Sequence, residues 1–415
     1  MKNIKLKKRL KIGKKYQDVP TERLGCDSAG IRFNLSQSLF TFENLYRAYL
    51  DCRKRKRNTI NALRFECDLE DNLWQLLEDL RRRSYEPGAS VCFAVAKPVI
   101  REIFVADFRD RVIHHLFTRA IESHCEKYFI YDSYACRTGK GALFGMRRLQ
   151  KFIRRVQNLE PKKYSSWHYL KADITGFFMH IDKKILRDLI CQKIATIPFS
   201  EKIKDELEWL AEKIIFHDPT KNYIPKGNRI LLKIVPRQKS LFGVSENVGL
   251  PIGNLTSQFF ANVYLNELDQ FVKRRLGCKF YGRYVDDFFL INKDKDQLVR
   301  WKEEIENFLL EKLRLELNQK KCFVLPITFG IDFIGYFVKP WRVYARRKIV
   351  KNFKNKLWFF AKQQDSINRQ LEIRNSIASY CGHFLHADTY NLILKTKQKN
   401  PWIEKNYPRV FSSFS

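Results

Sequence analysis

Asp286 and Asp287 stand side by side in Tyr284-Val285-Asp286-Asp287, between the apolar runs 278–281 and 288–291. The pattern predicts a β-hairpin with two adjacent carboxylates at its tip. Carboxylates held that close repel unless a cation neutralises them. Asp173 ends another strand-like run, His168-Tyr169-Leu170-Lys171-Ala172. Brought together, the three can hold a pair of Mg²⁺ ions roughly 3.5–4 Å apart, an arrangement suited to in-line phosphoryl transfer. By itself an Asp-Asp pair in a turn reads as a solvated loop. The metal-centred reading therefore rests on the segments around it.

Those segments follow in a consistent order. Residues 42–56 read as a helix with Leu45, Tyr46, Tyr49 and Leu50 on one side, and Leu73, Leu76, Leu77 and Leu80 fall at helical spacing within 71–83. A break at 84–88 leads to two strand-like stretches, 91–96 and 100–105, joined through Lys97-Pro98. Helices are predicted over about 109–127 and 142–156, and Asp182 can cap a helix running to residue 192. Residues 216–245 alternate basic and apolar groups around Pro225, Gly227 and Pro236, and read as a loop or hairpin insertion. Gly249-Leu250-Pro251-Ile252-Gly253 opens a helix with Phe260, Tyr264, Leu268 and Val272 on one face; the hairpin follows, then a helix near 302–312. From Arg346 onward an amphipathic stripe of Ile349, Phe353, Leu357 and Ala361, flanked by lysines, begins a small basic helical unit.

Composition narrows the partners. The chain has 415 residues, 45% of them hydrophobic, enough for sizeable cores and against global disorder. Lys and Arg total 78 against 45 Asp and Glu, a net charge of +33, which points to a polyanion, nucleic acid first. No run approaches the roughly 18–20 apolar residues of a membrane span. The first fifteen residues carry eight basic side chains without an apolar stretch after them, which reads as a nucleic-acid-binding arm rather than a secretory signal. The ten cysteines are scattered, with no C-x-x-C pair, and read as buried reduced thiols; the histidine pairs His114/His115 and His383/His386 lack a zinc-helix context and read as structural.

A strand ending in Asp173, a helix, a glycine-containing turn, a helix and a hairpin bearing Asp286-Asp287 form the order of a polymerase palm. The chain resembles a bacterial reverse transcriptase over roughly residues 90–345. Within that family it is most similar to the enzymes of diversity-generating retroelements, with a group II intron-like palm. The resemblance implies an α+β right-hand fold: a basic N-terminal extension over 1–70, fingers and palm (an antiparallel sheet plus helices) over 71–345, and a small helical thumb over 346–415. It implies RNA-directed DNA polymerase activity that makes cDNA from a cognate RNA template, with dNTPs as substrates and the cDNA/RNA heteroduplex as ligand. Two Mg²⁺ ions are the implied cofactor, with Mn²⁺ as an alternative. A cytoplasmic setting, bacterial or phage-encoded, with an accessory protein or noncoding RNA and no membrane, goes with it. An antiphage-defence enzyme working with its own noncoding RNA is the other reading within the family. A catalytically silent RNA-binding scaffold is the reading outside it.

Residue by residue, the resemblance assigns metal binding to Asp173, the Ile174 carbonyl, Asp286 and Asp287. Phe177 and Phe178 resemble the position of the ring that presses on the sugar and rejects a 2′-hydroxyl; either ring fits. Lys97 and Arg101 match the fingers hairpin that grips the triphosphate. Arg137 and Lys140, in the segment 133–141, are expected to touch template backbone or to brace the fingers. Gly249–Gln258 resembles the cradle of the nascent base pair, with Pro251 and Gly253 letting backbone approach the nucleotide and Gln258 closing the motif. Here the chain departs from most of the family it resembles, which carries Gln-Gly and Ser-Pro where it has Ile252-Gly253 and Ser257-Gln258. An isoleucine can only pack where a glutamine can hydrogen-bond, so lower fidelity is expected. This variant resembles the form found in the reverse transcriptases of diversity-generating retroelements, whose enzymes copy a template repeat with errors at adenines. Lys321, with Lys320 as rival, resembles the lysine that protonates the leaving pyrophosphate. Tyr284 belongs to the Y-x-D-D signature beside the primer end, and Phe333 and Gly335 fall in a primer-grip-like hairpin. Segments 378–383 and 386–389 resemble the thumb of the same retroelement group.

Overall fold

The computed structural model describes residues 37–54, 56–96, 99–362 and 367–411. The chain opens with three helices, α1 (Phe42–Arg53), α2 (Ile60–Cys67) and α3 (Leu69–Arg81). Thr41 caps α1 by accepting from the Asn44 N–H at 3.2 Å. Strands β1 (Ser90–Val95) and β2 (Arg101–Val105) form an antiparallel hairpin. Helices α4 (Phe108–Glu126) and α5 (Ala142–Leu159) precede β3 (His168–Asp173). A short α6 (Phe177–His180) leads to α7 (Lys183–Ala195), whose cap Asp182 accepts from the Lys184 and Ile185 N–H groups.

Helix α8 (Glu201–Ile215) follows, with Ile203, Leu207, Leu210 and Ile215 buried along one stripe. The segment expected as a loop or hairpin contains β4 (Tyr223–Pro225) and α9 (Arg229–Lys233). β4 does not fold back on itself; it pairs in parallel with β1 and makes a three-stranded fingers sheet in the order β2-β1-β4. Its partner lies more than a hundred residues away, which no local pattern reveals.

Helix α10 (Leu255–Gln270) runs through the centre, followed by β5 (Phe280–Tyr284), β6 (Asp287–Asn292) and α11 (Lys295–Leu313). Helix α11 starts earlier than the apolar pattern suggests because Asp294 caps it through the Asp296 and Gln297 N–H groups. With β7 (Phe323–Pro326), the antiparallel palm sheet has the order β5-β6-β3-β7. Strands β3, β5 and β6 are buried on both faces, which explains the unbroken apolar run Phe288-Phe289-Leu290-Ile291. Leu170, Ala172, Phe288 and Leu290 join a large core with α1–α4, α7, α8, α10 and α11. Tyr169, Phe289 and Ile291 face a second core built on α5 and three short strands, β8 (Ile331–Phe333), β9 (Tyr336–Val338) and β10 (Val343–Ala345).

Leu45, Ala48, Tyr49, Cys52, Ala62 and Phe65 belong to the large core, together with Leu73 and Leu76 of α3. A boundary at residue 70 therefore cuts through one hydrophobic unit, because the apolar stripes of α1 and α2 need the same partners as α3 and α4. The basic arm over 1–36 lies outside the described residues. Helices α12 (Arg347–Ala361), α13 (Ile367–Phe384), α14 (Tyr390–Lys399) and α15 (Pro401–Asn406) share a third cluster around Phe353, Leu357, Ile377 and Phe384.

Candidate active site

The palm register brings the three aspartates to one place. Asp173, the last residue of β3, is the cross-strand partner of Asp287, the first residue of β6. Asp286 sits in the two-residue turn between β5 and β6, and its carbonyl accepts from the Ile174 N–H at 3.2 Å. The Asn318 N–H donates to the Asp173 carbonyl at 2.8 Å, so the loop after α11 anchors the end of β3. Like charges directly opposite on adjacent strands destabilise a sheet. Both carboxyls of the turn register the strain: burial, then the Asp173 charge, pushes Asp286 up to about 6. Burial also pushes Asp287 to about 6, opposed by the Lys171 ammonium. Asp287 keeps 23% of its side chain exposed, so this is the floor of a cleft rather than a sealed core.

Two lysines compensate part of that charge. Lys321 Nζ lies 3.0 and 2.8 Å from the two Asp173 oxygens. Lys171 Nζ donates to Asp287 Oδ2 at 3.2 Å and also to the Asp332 carbonyl. With the side chains drawn to these lysines, no group of three His, Cys, Asp or Glu among the described residues is arranged as an ion cage. The site nonetheless fits a cation. Asp287 Oδ1 is buried without a hydrogen-bond partner, and an all-carboxylate donor set suits a hard divalent ion.

A cavity of about 150 Å³ adjoins the turn, lined by Cys136, Phe178, Ile252, Gly253, Gln258 and Val285 among others. Of the aromatic pair, Phe178 faces the cavity, whereas Phe177 is 2% exposed in the core. Ile252, Gly253 and Gln258 meet here, but Pro251 does not; it lines two separate cavities towards α4 and the insertion. Gly253 also serves a second close approach: a Cβ there would lie 2.6 Å from the Phe104 carbonyl oxygen, so the glycine admits strand β2. The Phe104 N–H donates to the Ile252 carbonyl at 2.9 Å and the Ala106 N–H to Asn254 Oδ1 at 3.0 Å, joining fingers to palm. Arg101 opens β2, exposed, and its charge acts on Asp286. Lys97 lies outside the described residues.

Other expected contacts are used internally. Arg137 is 5% exposed and binds Glu126 through Nε at 2.9 Å and Nη2 at 2.6 Å, and the Ile130 and Ser133 carbonyls through Nη1 at 2.7 and 2.8 Å. It braces the fingers and has little left for a template phosphate. Lys140 donates to the Tyr131 carbonyl at 2.8 Å, and burial lowers its ammonium to about 8. Tyr284 is half-buried opposite Asp287. Phe333 is fully buried, edge-on to Phe289 at 5.0 Å, so it supports the palm from behind instead of touching a primer. Gly335, at φ 85, completes the turn between β8 and β9. A Cβ there would lie 3.2 Å from His383 and from Ile349, at the junction with the terminal helices.

Lys171, Arg283 and Asp269 went unread as site residues. The available signal was a cation inside an otherwise apolar strand, which must find a buried partner.

A family model described as reverse transcriptase (RNA-dependent DNA polymerase) matches residues 96–338, more than half of the chain. The group II intron-encoded protein LtrA of Lactococcus lactis subsp. cremoris is 22% identical over 310 residues, covering 65% of this chain and 50% of that protein. Protein YkfC of Escherichia coli (strain K12) is 22% identical over 311 residues, covering 67% and 74%. The chain thus spans about half the length of the first of these relatives. Among solved structures, apo telomerase from Candida tropicalis truncated from its C-terminal domain aligns at a TM-score of 0.44 and 13% identity, over 62% of this chain and 55% of that one. No described helix is long and apolar enough to cross a membrane.

Proposed function

The chain belongs to the reverse transcriptase (RNA-dependent DNA polymerase) family, and we propose that it copies an RNA template into DNA at the Asp173, Asp286 and Asp287 centre. The observation that carries this reading is the register that sets Asp173 against Asp287 with Asp286 in the adjoining turn. Asp173, Asp286, Asp287 and the Ile174 carbonyl would hold two divalent ions, Mg²⁺ by the hardness of the donors. When bound, such ions acidify a primer 3′-hydroxyl and neutralise triphosphate charge.

The chain's own residues do the rest. Arg101, with Lys97, binds the triphosphate oxygens from the fingers. Phe178 presents its ring where a 2′-hydroxyl would have to fit. Lys321, exposed and within reach of Asp173, delivers a proton to the leaving pyrophosphate. The basic surface holds the heteroduplex by its backbone, independent of sequence.

Ile252 in the cavity wall favours error-prone copying and, with it, a diversity-generating retroelement acting in the cytoplasm with an accessory partner. Primer extension by wild type and Asp286→Asn tests the chemistry. Loss of one carboxylate is expected to slow DNA synthesis by roughly 10³-fold or more, since the charge it neutralises is worth several kcal/mol. Equal synthesis by both proteins would overturn the assignment. Sequencing the nucleic acid that copurifies with the chain separates diversification, which predicts a repeat-derived RNA, from antiphage defence, which predicts a dedicated noncoding RNA.

A further inference from the structure

Arg283 is among the largest fully buried side chains, and it lies two residues before the turn that carries Asp286. Its partner, Asp269 near the end of α10, is also fully buried. The guanidinium grips that carboxylate with two parallel bonds from one edge, Nε to Oδ1 at 2.7 Å and Nη2 to Oδ2 at 2.6 Å. Tyr281 Oη donates to the same Oδ1 at 2.7 Å. Nη2 also reaches Ser133 Oγ at 3.3 Å. The remaining nitrogen, Nη1, points forward along the chain and donates to the Val285 carbonyl at 3.0 Å.

Val285 is where that bond acts. Its φ is 56°, in the left-handed region. A β-branched residue is rarely found there, and such strain persists only where the surroundings over-determine it. The backbone before it is held as well: the Arg283 N–H donates to the Asp132 carbonyl at 2.9 Å, and the Tyr134 N–H to the Arg283 carbonyl at 3.0 Å. Strand β5 is thus immobilised, while the turn is held at Asp286 by the Ile174 N–H and at the strained Val285 by Nη1.

We propose that Arg283 and Asp269 are a positioning pair that keeps the Val285–Asp286 turn left-handed and so sets where the Asp286 carboxylate points. Neither residue touches substrate. The inference rests on the polymerase reading for its consequence, though not for its geometry. A planar guanidinium can serve a carboxylate and a carbonyl at fixed angles; an ammonium is a single point and cannot reach both. Arg283→Lys therefore keeps the buried charge pair and removes the bond to Val285. Val285→Gly removes the reason the bond is needed, because glycine enters the left-handed region freely.

The test is the cycle of wild type, Arg283→Lys, Val285→Gly and the double variant. It is read by kcat and by KM for dNTP in primer extension, and by hydrogen exchange of the peptide spanning the turn. Arg283→Lys is expected to lower kcat by roughly 10–100-fold, as displacement of a reacting group by about an ångström does, to leave KM within about twofold and to speed exchange at the turn. Adding Val285→Gly is expected to recover at least about fivefold of that kcat and to slow exchange again. A loss from Arg283→Lys that is the same in both backgrounds overturns the proposal, as does full activity of Arg283→Lys. Failure of Arg283→Lys to fold in either background places the pair in the fold alone and also overturns it. Exchange is read without turnover. A wild-type chain that makes no DNA would defeat the polymerase reading, while the exchange cycle would still uphold or overturn the clamp.

Discussion

Gly253→Ala tests whether the fingers are held in place through this glycine. Its φ is 136°, and an added Cβ would meet the Phe104 carbonyl oxygen at 2.6 Å, the Phe104 carbonyl carbon at 3.2 Å and Ile103 Cγ2 at 3.0 Å. Two of these atoms are backbone, so no rotamer change relieves the contact. Strand β2 must withdraw by roughly half an ångström to an ångström to reach ordinary van der Waals separation. The flanking bonds, Phe104 N–H to the Ile252 carbonyl and Ala106 N–H to Asn254 Oδ1, stretch with it. The unfavourable backbone region costs about 1–3 kcal/mol, and each weakened hydrogen bond about 1 kcal/mol. The cheapest relief is detachment of the β1–β2 hairpin, which carries Arg101, rather than global unfolding. If about 2 kcal/mol falls on the attached state, KM for dNTP rises roughly 30-fold with kcat less affected. Titrating dNTP in primer extension on a homopolymer template measures this. Gly139→Ala is the control, since its φ is 74° but a Cβ there meets nothing within 4 Å. An unchanged KM in Gly253→Ala would refute the argument that this residue docks the fingers.

Two further outcomes follow from burial. On α4, burial drives the His114 imidazole down to about 3 and His115 to about 4. Their stabilisation is complete above the unfolded value near 6.5 and is lost as pH falls towards those folded values. It amounts to about 2 kcal/mol per histidine between pH 7.5 and pH 5. Glu102 and Asp110, pushed up by burial, act in the opposite sense in the acid range. The diagnostic quantity is therefore the difference between wild type and His114→Leu in urea unfolding at pH 7.5 and 5.0; equal pH slopes in the two proteins would contradict it. Ile252→Gln restores a hydrogen-bonding side chain to the cavity wall, and misincorporation is expected to fall. Error rates on the same template that stay level or rise count against a fidelity role for Ile252.

What was legible in the sequence was local. The hairpin was readable because apolar runs flank Asp286-Asp287, and α7 because Asp182 precedes a helical stripe. Charge alone could not say that Glu126, eleven positions upstream, takes up Arg137. Nor could an aromatic beside a glycine turn say that Phe333 points into the palm. Helix α8 is legible in the spacing of Ile203, Leu207 and Leu210, whereas nothing local announces the parallel pairing of β4 with β1.

The aspartates lie between these cases. Their residue types announce the chemistry, but the function depends on a register. A one-residue slip of β6 against β3 would carry Phe288 and Leu290 off the large core and Phe289 off the second, so the apolar alternation pins the pairing. That same pairing forces Asp173 against Asp287, which the sheet alone would disfavour. Lys171 answers the repulsion on one side and Lys321 on the other, yet Asp286 and Asp287 still sit near 6 and Asp287 Oδ1 stays unpaired. The protein cations thus leave negative charge uncompensated at the cleft floor. A divalent ligand would gain there what the fold lacks, and the core packing that fixes the register is what keeps the carboxylates from moving apart.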